Sequence, residues 1–293
     1  MMIGIMVSYE PDSKELVQNI NSNLEELDLL ILVENGSSPT LQNQIAKQIQ
    51  NDRCILLLQD RNLGLGKAQN IGLKKGFELG GEYFLFLDDD SVLKKGSVKI
   101  LKEELFKNPK LGIAACHVLH EGSKKEQKYW IESGFFYKRV RFTESSHKLE
   151  KVNTVISSGS LIPKSVIEKC GFMEEDYFID YIDIEYCLRV RKNGYTISVY
   201  KDAVLFHKLG NTKTISVGNL QFHPTNHSPE RRFYMIRNRI WTWRKYGFSF
   251  FGWFLIDLGN FFFDNLRVLL FEKDRYLKMK FFWKGLVEGF LKK

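Results

Sequence analysis

Apolar and polar stretches alternate in blocks along the first ninety residues. Ile3–Ser8 is a short apolar run closed by Tyr9-Glu10-Pro11, a turn signal. Asp12 and Ser13 then predict a helix start, and Leu16, Val17, Ile20 and Leu24 share one helical face. Leu29–Val33 is a second apolar run, ended by Glu34-Asn35-Gly36-Ser37-Ser38 and followed by a helical pattern over Leu41–Ile49. Cys54–Leu58 is a third run, Gly66–Leu79 is helical, and Tyr83–Leu87 leads directly into Asp88-Asp89-Asp90. Strand–helix alternation of this kind predicts a parallel sheet flanked by helices. Such sheets bind ligands beyond the carboxyl ends of their strands, and the unusual loops all fall there.

Beyond Ile113–Val118 the pattern loosens. Glu121–Lys128 is polar and reads as a loop, and Tyr129–Phe142 as strands of a mixed sheet. Ser157-Ser158-Gly159-Ser160 breaks the chain before the short segment Lys164–Cys170. Asp180–Lys192 has helical spacing ended by Asn193-Gly194. Tyr195–Val199 and Ala203–Phe206 read as short strands leading to His207.

Charge sharpens this division. The 293 residues hold 43 Lys and Arg against 35 Asp and Glu, a formal +8. From Glu230 to Lys293 there are 14 basic and 6 acidic residues, so the whole excess lies there and the first 229 residues are formally neutral. The same segment carries 12 of 23 Phe and 4 of 5 Trp. A boundary is therefore expected near Pro229. Basic charge among aromatics suits nucleic acid or a membrane surface. The four cysteines include no C-x-x-C pair and Met1–Glu10 has no signal-peptide pattern, so a reducing cytoplasmic setting is expected.

Three adjacent carboxylates repel one another unless a cation or solvent relieves them. A divalent ion can bridge them to a diphosphate, so Asp88-Asp89-Asp90 reads as a nucleotide–metal site. The plain alternative is an acidic helix start capped by Asp90-Ser91. Arg61–Asn70 is a glycine-rich turn whose N–H groups can approach a phosphate or a base, or an ordinary turn; Gln69 breaks the dinucleotide fingerprint. In the cluster Asp180, Asp183 and Glu185, the first two share a helical face and Glu185 can pair with Arg189. A carboxylate there can act as a general base, or merely offset the helix dipole. His207 is either structural or a ligand assembled in space with the Asp cluster.

In their order these pieces resemble the inverting, metal-dependent GT-A glycosyltransferases of family 2, in their bacterial rhamnosyltransferase branch. The resemblance rests on Val7-Ser8-Tyr9, Glu34-Asn35-Gly36-Ser37, Asn62-Leu63-Gly64, Phe86-Leu87-Asp88-Asp89-Asp90, Ser158-Gly159-Ser160, the run from Phe178 to Arg189, His207, and the run from Ser228 to Asn238. It implies an α/β fold of the GT-A type, Rossmann-like, with a mostly parallel mixed sheet flanked by helices and a C-terminal helical extension. The catalytic domain would cover 1–229, with a nucleotide-binding half to about 118 and an acceptor half from about 119. A basic aromatic tail would occupy 230–293.

The resemblance also implies roles. Asp88, Asp90 and His207 would hold Mg2+ or Mn2+. Asp88 and Asp89 would contact the nucleotide sugar together with Tyr9, Glu34, Asn35, Arg61, Asn62 and Gly64, Glu34 replacing the usual Asp. Asp183 would be the general base, two positions before the acid Glu185. Gly159, Ser160, Asp180 and Glu185 would line the acceptor side, and Arg231 and Arg237 would meet the pyrophosphate. The implied donor is dTDP-rhamnose, with UDP-galactofuranose or another UDP-hexose as the alternative. The implied acceptor is a glycan or lipid-linked glycan of cell-surface polysaccharide synthesis.

Phe248–Phe271 is apolar but interrupted by Asp257, Asp264 and Arg267. A spanning helix needs roughly 20 apolar residues, so an interfacial helix pair is expected instead. Trp253, Phe254, Phe261 and Phe262 would enter the headgroup boundary, and the bases would meet anionic lipid on the inner face of the cell membrane. The alternative is packing on the catalytic domain or on a second subunit as a homodimer. A nucleotidyltransferase would carry a basic glycine-rich loop near its start, which Val7–Asp12 lacks. Acidic loops at each strand end argue against a nucleic-acid-binding protein, because they would repel phosphates.

Overall fold

Strand β1 (Met2–Ser8), helix α1 (Ser13–Asn23), β2 (Leu29–Glu34), α2 (Pro39–Gln48), β3 (Cys54–Leu58), α3 (Leu65–Glu78) and β4 (Tyr83–Asp88) follow the expected alternation. This computed structural model describes residues 1–120, 127–134, 136–207, 215–217, 220–222 and 225–292, so most of the expected loop Glu121–Lys128 lies outside the described residues. The chain divides into two units. The first comprises Met1–Ser133, Lys138–Phe178 and Ile182–Lys208; the second comprises Gly134–Tyr137, Ile179–Tyr181 and Leu209–Lys293.

In the first unit the chain continues through β5 (Ser91–Leu93), α4 (Ser97–Lys107) and β6 (Leu111–His120). After β7 (Tyr129–Ser133), β8 (Phe136–Val140, whose first two residues count with the second unit) and β9 (Lys148–Leu149) come β10 (Ser160–Pro163), α5 (Lys164–Cys170), α6 (Ile182–Lys192) and β11 (Thr196–His207). Among the described residues, nine strands form one sheet in the order β3-β2-β1-β4-β10-β6-β11-β5, with β9 also on β11. Strands β1 to β4 are parallel, β10 runs antiparallel between β4 and β6, and β11 is again parallel to β6. Nearly every side chain of β1, β2, β4 and β6 is buried, as strands covered on both faces require. Met6, Leu16, Ile20, Leu30, Leu85 and Leu205 belong to the main core cluster. At about 1.5–3 kcal/mol for each such side chain, this burial holds the sheet that sets the site.

Three expectations are corrected. The segment Tyr129–Phe142 does not join the main sheet, because β7 and β8 pair as a separate two-stranded sheet. Asp90-Ser91 caps no helix: Ser91 enters β5, and α4 begins after Gly96. Helix α6 starts at Ile182, since Asp180 (φ 63°) and Tyr181 (φ 68°) are left-handed. Asp180 and Asp183 therefore do not share a helix face.

The second unit contains β12 (Ile215–Val217), β13 (Leu220–Phe222), α7 (Pro229–Tyr246), α8 (Phe251–Phe271) and α9 (Arg275–Leu291). Ser228 caps α7 by accepting from the Arg231 N–H at 3.2 Å. Gly285 and Gly289 let α9 lie against α7: a Cβ at either would stand 2.7–2.8 Å from the Phe233 carbonyl oxygen or the Ile240 Cβ. The charges of α8 turn inward. The Tyr181 hydroxyl donates to both Asp257 oxygens at 2.9 and 3.0 Å, the Trp243 indole N–H donates at 2.7 Å, and Arg239 pairs with Asp257 and Asp264 at 3.2 Å. Trp253 and Phe261 are buried on the same inner side. The expectation that they enter a headgroup layer is thus corrected; they hold the unit together. Among the described residues no helix is long and apolar enough to cross a membrane.

Candidate active site

Strand β4 ends at Asp88, and the turn Asp89-Asp90 sends the chain into β5. Strand β5 pairs antiparallel with the end of β11, in the register Leu205↔Leu93, Phe206↔Val92 and His207↔Ser91. That register carries His207 to the acidic turn. Its Nε2 lies 3.4 Å from Asp88 and 3.5 Å from Asp90, and one ligand atom from each of the three falls within 4.8 Å of the others.

Buried polar groups hold the turn from below. Asn19 and Asn23, four apart on α1, donate to the carbonyls of Asp89 and Ser91 at 2.8 Å, and Asn23 also accepts from the Leu93 N–H at 2.9 Å. The Ser158 hydroxyl accepts from the Asp88 N–H at 3.0 Å and donates to Ser91 Oγ at 3.1 Å. None of the three was singled out from sequence as a site residue. The available signal was two amides spaced i, i+4 beside Leu16 and Ile20, where an apolar face should continue.

Electrostatics follow from this crowding. Burial, and then the charges of Asp90 and Asp88, push the Asp89 pKa up to about 7, against the stabilising Tyr9 N–H. Burial raises Asp90 as well, opposed by His207. His120, packed edge-on to His207, has its pKa lowered by burial and by His207. A set of two carboxylates and one imidazole, all partly open to solvent, fits a hard or borderline divalent cation with positions left for other oxygens.

The nucleotide-side candidates gather at the ends of β1, β2 and β3. Tyr9 and Arg61 are exposed. Asn35 donates to Asn62 Oδ1 at 3.1 Å and accepts from the Leu63 N–H at 3.0 Å, and Asn62 Oδ1 accepts from the Gly64 N–H at 2.9 Å. Gly64 has φ +85°, and a Cβ there would stand 2.7 Å from Phe178. Glu34 is fully buried: it accepts from the Ser37 N–H at 3.1 Å, from the Ser37 hydroxyl and from Gln42 at 2.5 Å. Its carboxylate is tied into its own loop.

Asp183, in the first turn of α6, lines a cleft of about 230 Å3 together with Trp130, Thr154, Ile156 and Ser158. Ser158 thus joins the acidic turn to the cleft that Asp183 faces. The other acceptor-side candidates do not converge on it. Ser160 is buried, its hydroxyl donating to the Ile156 carbonyl at 2.7 Å, and Gly159 bonds through its backbone to Phe86 and Cys116. Glu185 is buried against Arg189 at 2.6 Å, facing the interior.

In the second unit, Asp180 and Arg231 pair with each other through two bonds of 2.9 and 3.0 Å. Arg237 is buried, 4.1 Å from the Trp241 ring centre and bonded to Asn238 and Glu288. Its guanidinium is tied into the packing of α7 against α9.

The sequence model of glycosyl transferase family 2 matches residues 5–171. The chain is 30% identical over 254 residues to the dTDP-rhamnosyl transferase RfbF of Shigella flexneri, covering 83% of this chain and 79% of that protein. The crystal structure of GalNAc-T7 with UDP, GalNAc and Mn2+ superimposes with a TM-score of 0.63 at 12% identity, over 83% of this chain and 47% of the other. This chain therefore spans about half the length of that one. The crystal structure of S. aureus TarS 1-349 in complex with UDP gives 0.53 at 14% identity, over 99% and 72%. At such identities these two show a shared GT-A-like fold. With the matched family model and the 30%-identical relative, the chain belongs to glycosyl transferase family 2 and is a nucleotide-sugar glycosyltransferase.

Proposed function

We propose that the chain is a metal-dependent, inverting rhamnosyltransferase. It moves L-rhamnose from dTDP-rhamnose to a hydroxyl of a glycan or lipid-linked glycan in cell-surface polysaccharide synthesis, working at the inner, anionic face of the membrane. The observation that carries the chemistry is the meeting of Asp88, Asp90 and His207 at strand ends, linked through Ser158 to the cleft lined by Asp183. The rhamnose assignment follows the 30%-identical relative.

Asp88, Asp90 and His207 would hold a divalent ion, which when bound neutralises the diphosphate as it leaves. His207 adds nitrogen to an otherwise oxygen set and favours Mn2+ over Mg2+. Tyr9, Arg61 and the tied loops of Asn35, Asn62 and Gly64 present the nucleotide side. Asp183 takes the acceptor hydroxyl proton at its carboxylate, and one in-line displacement at the anomeric carbon inverts its configuration.

A donor screen tests this reading. dTDP-rhamnose, UDP-galactofuranose and other UDP-hexoses are incubated with the protein and Mn2+, Mg2+ or a chelator. Hydrolysis of dTDP-rhamnose alone, stopped by the chelator, is expected. Turnover of a UDP-sugar instead would replace rhamnose, and full activity in chelator would remove the metal. The anomeric configuration of the transfer product, read by proton NMR, tests inversion.

A further inference from the structure

We infer that the outward face of α8 is the lipid-contacting surface of the protein, lying in the plane of an anionic membrane with its side chains at the acyl boundary. The inference rests on the membrane-surface reading above and confines it to one helix face.

The sequence of α8 shows an apolar segment broken by three charges, but the fold sorts them. The side chains of Asp257, Asp264 and Arg267 keep only 9%, 20% and 15% of their surface, held in the network around Arg239. The opposite side carries Phe251, Leu255, Phe262, Phe263, Leu266 and Leu270, each more than half exposed. The exposed positions of α8 are hydrocarbon apart from Gly259 and Asn260. Ordinary surface helices show the reverse order, with charges outside and hydrocarbon inside. A 21-residue helix is about 31 Å long, so this is a continuous apolar stripe and not a scatter of single residues.

The flanks select the occupant. Arg244 and Lys245 precede the helix, Lys273 and Arg275 follow it, and all four are exposed, with Asp274 as the exposed acid beside them. Phe248, in the turn before α8, is 99% exposed, and Tyr276, just after Arg275, is 87% exposed. An apolar face with bases and aromatics at both ends matches an interfacial layer of acyl chains bounded by anionic headgroups. A second copy would bring the same positive flanks and be repelled.

The test uses the full chain and sedimentation with vesicles of phosphatidylcholine, with or without phosphatidylglycerol. Wild type is expected to bind the phosphatidylglycerol vesicles. Phe262→Asp combined with Leu266→Asp should lower the partition coefficient at least about tenfold. Donor hydrolysis in vesicle-free buffer should stay at the wild-type level and report an intact fold. Lys245→Gln with Lys273→Gln leaves the apolar face untouched and should weaken binding only where phosphatidylglycerol is present. If wild type binds and the Asp variant binds equally, α8 is not the contact while the membrane reading survives. If wild type binds no vesicle, both fall, whatever the donor screen shows. A dimer in sedimentation velocity that the Asp variant abolishes, without vesicle binding, would give the face to a second copy and overturn the inference.

Discussion

His207 Nε2 lies 3.4 Å from the Asp88 carboxylate because β5 pairs with the last residues of β11. Two residues far apart in the chain become one donor set, with Asp90 completing it. Asp90→Ala, or a chelator added to wild type, is expected to weaken donor binding by at least about 100-fold. Isothermal titration with Mn2+ and then with donor checks this; unchanged Mn2+ affinity in Asp90→Ala would remove Asp90 from the set.

Asp183 faces the cleft from the first turn of α6. Asp183→Asn keeps the shape and loses the proton acceptor. Transfer should fall by about 100- to 10,000-fold, the range of a lost general base, with donor affinity unchanged. Retained turnover in a steady-state assay would assign the base elsewhere.

Asn23 serves two backbone groups of β5, the Ser91 carbonyl and the Leu93 N–H, with no solvent exposure. Asn23→Ala leaves both buried and unsatisfied, which costs about 1–3 kcal/mol. Urea unfolding measures the loss. Metal affinity should weaken as well, since the acidic turn loses its support.

Glu272 and Lys278 form a buried pair at 2.9 Å, each under 5% exposed. Burial alone would push the Glu272 pKa up, but Lys278 and the backbone N–H groups of Asn226 and Thr225 hold it below the ordinary carboxylate value. A group lowered on folding contributes stability that is complete above its unfolded pKa and lost as pH falls through the folded one. Thermal stability should therefore drop on acidification, less steeply in Glu272→Gln. Lys278→Met, which strands the carboxylate, should cost about 3–5 kcal/mol at neutral pH, read from chemical denaturation.

Much of the site was legible because it is local. A strand running into three aspartates, a glycine turn opening a helix and an acid at a helix start are signals within a few residues. The surroundings of other candidates were not legible, because they depend on what lies opposite. The Glu185–Arg189 pair was legible as an i, i+4 contact, but the full burial of Glu185 was not, and neither was the enclosure of Arg237 by Trp241 and Glu288. Asn19 and Asn23 looked like ordinary helix residues because their partners are backbone groups of a distant turn.

The sequence by itself determined the alternation of strands and helices, the parallel core and the loops that end at Asp88 and Asn62. These follow from apolar periodicity and turn chemistry, which act over short stretches of chain. It also located the basic, aromatic segment after Pro229. Only the tertiary structure decided that His207 joins the aspartates, since strand register is set by pairing between distant segments. The same holds for α8, whose charges at Asp257, Asp264 and Arg267 face inward while hydrocarbon faces out. A buried charge is tolerated where partners neutralise it, and those partners, Arg239 and Tyr181, come from outside the helix.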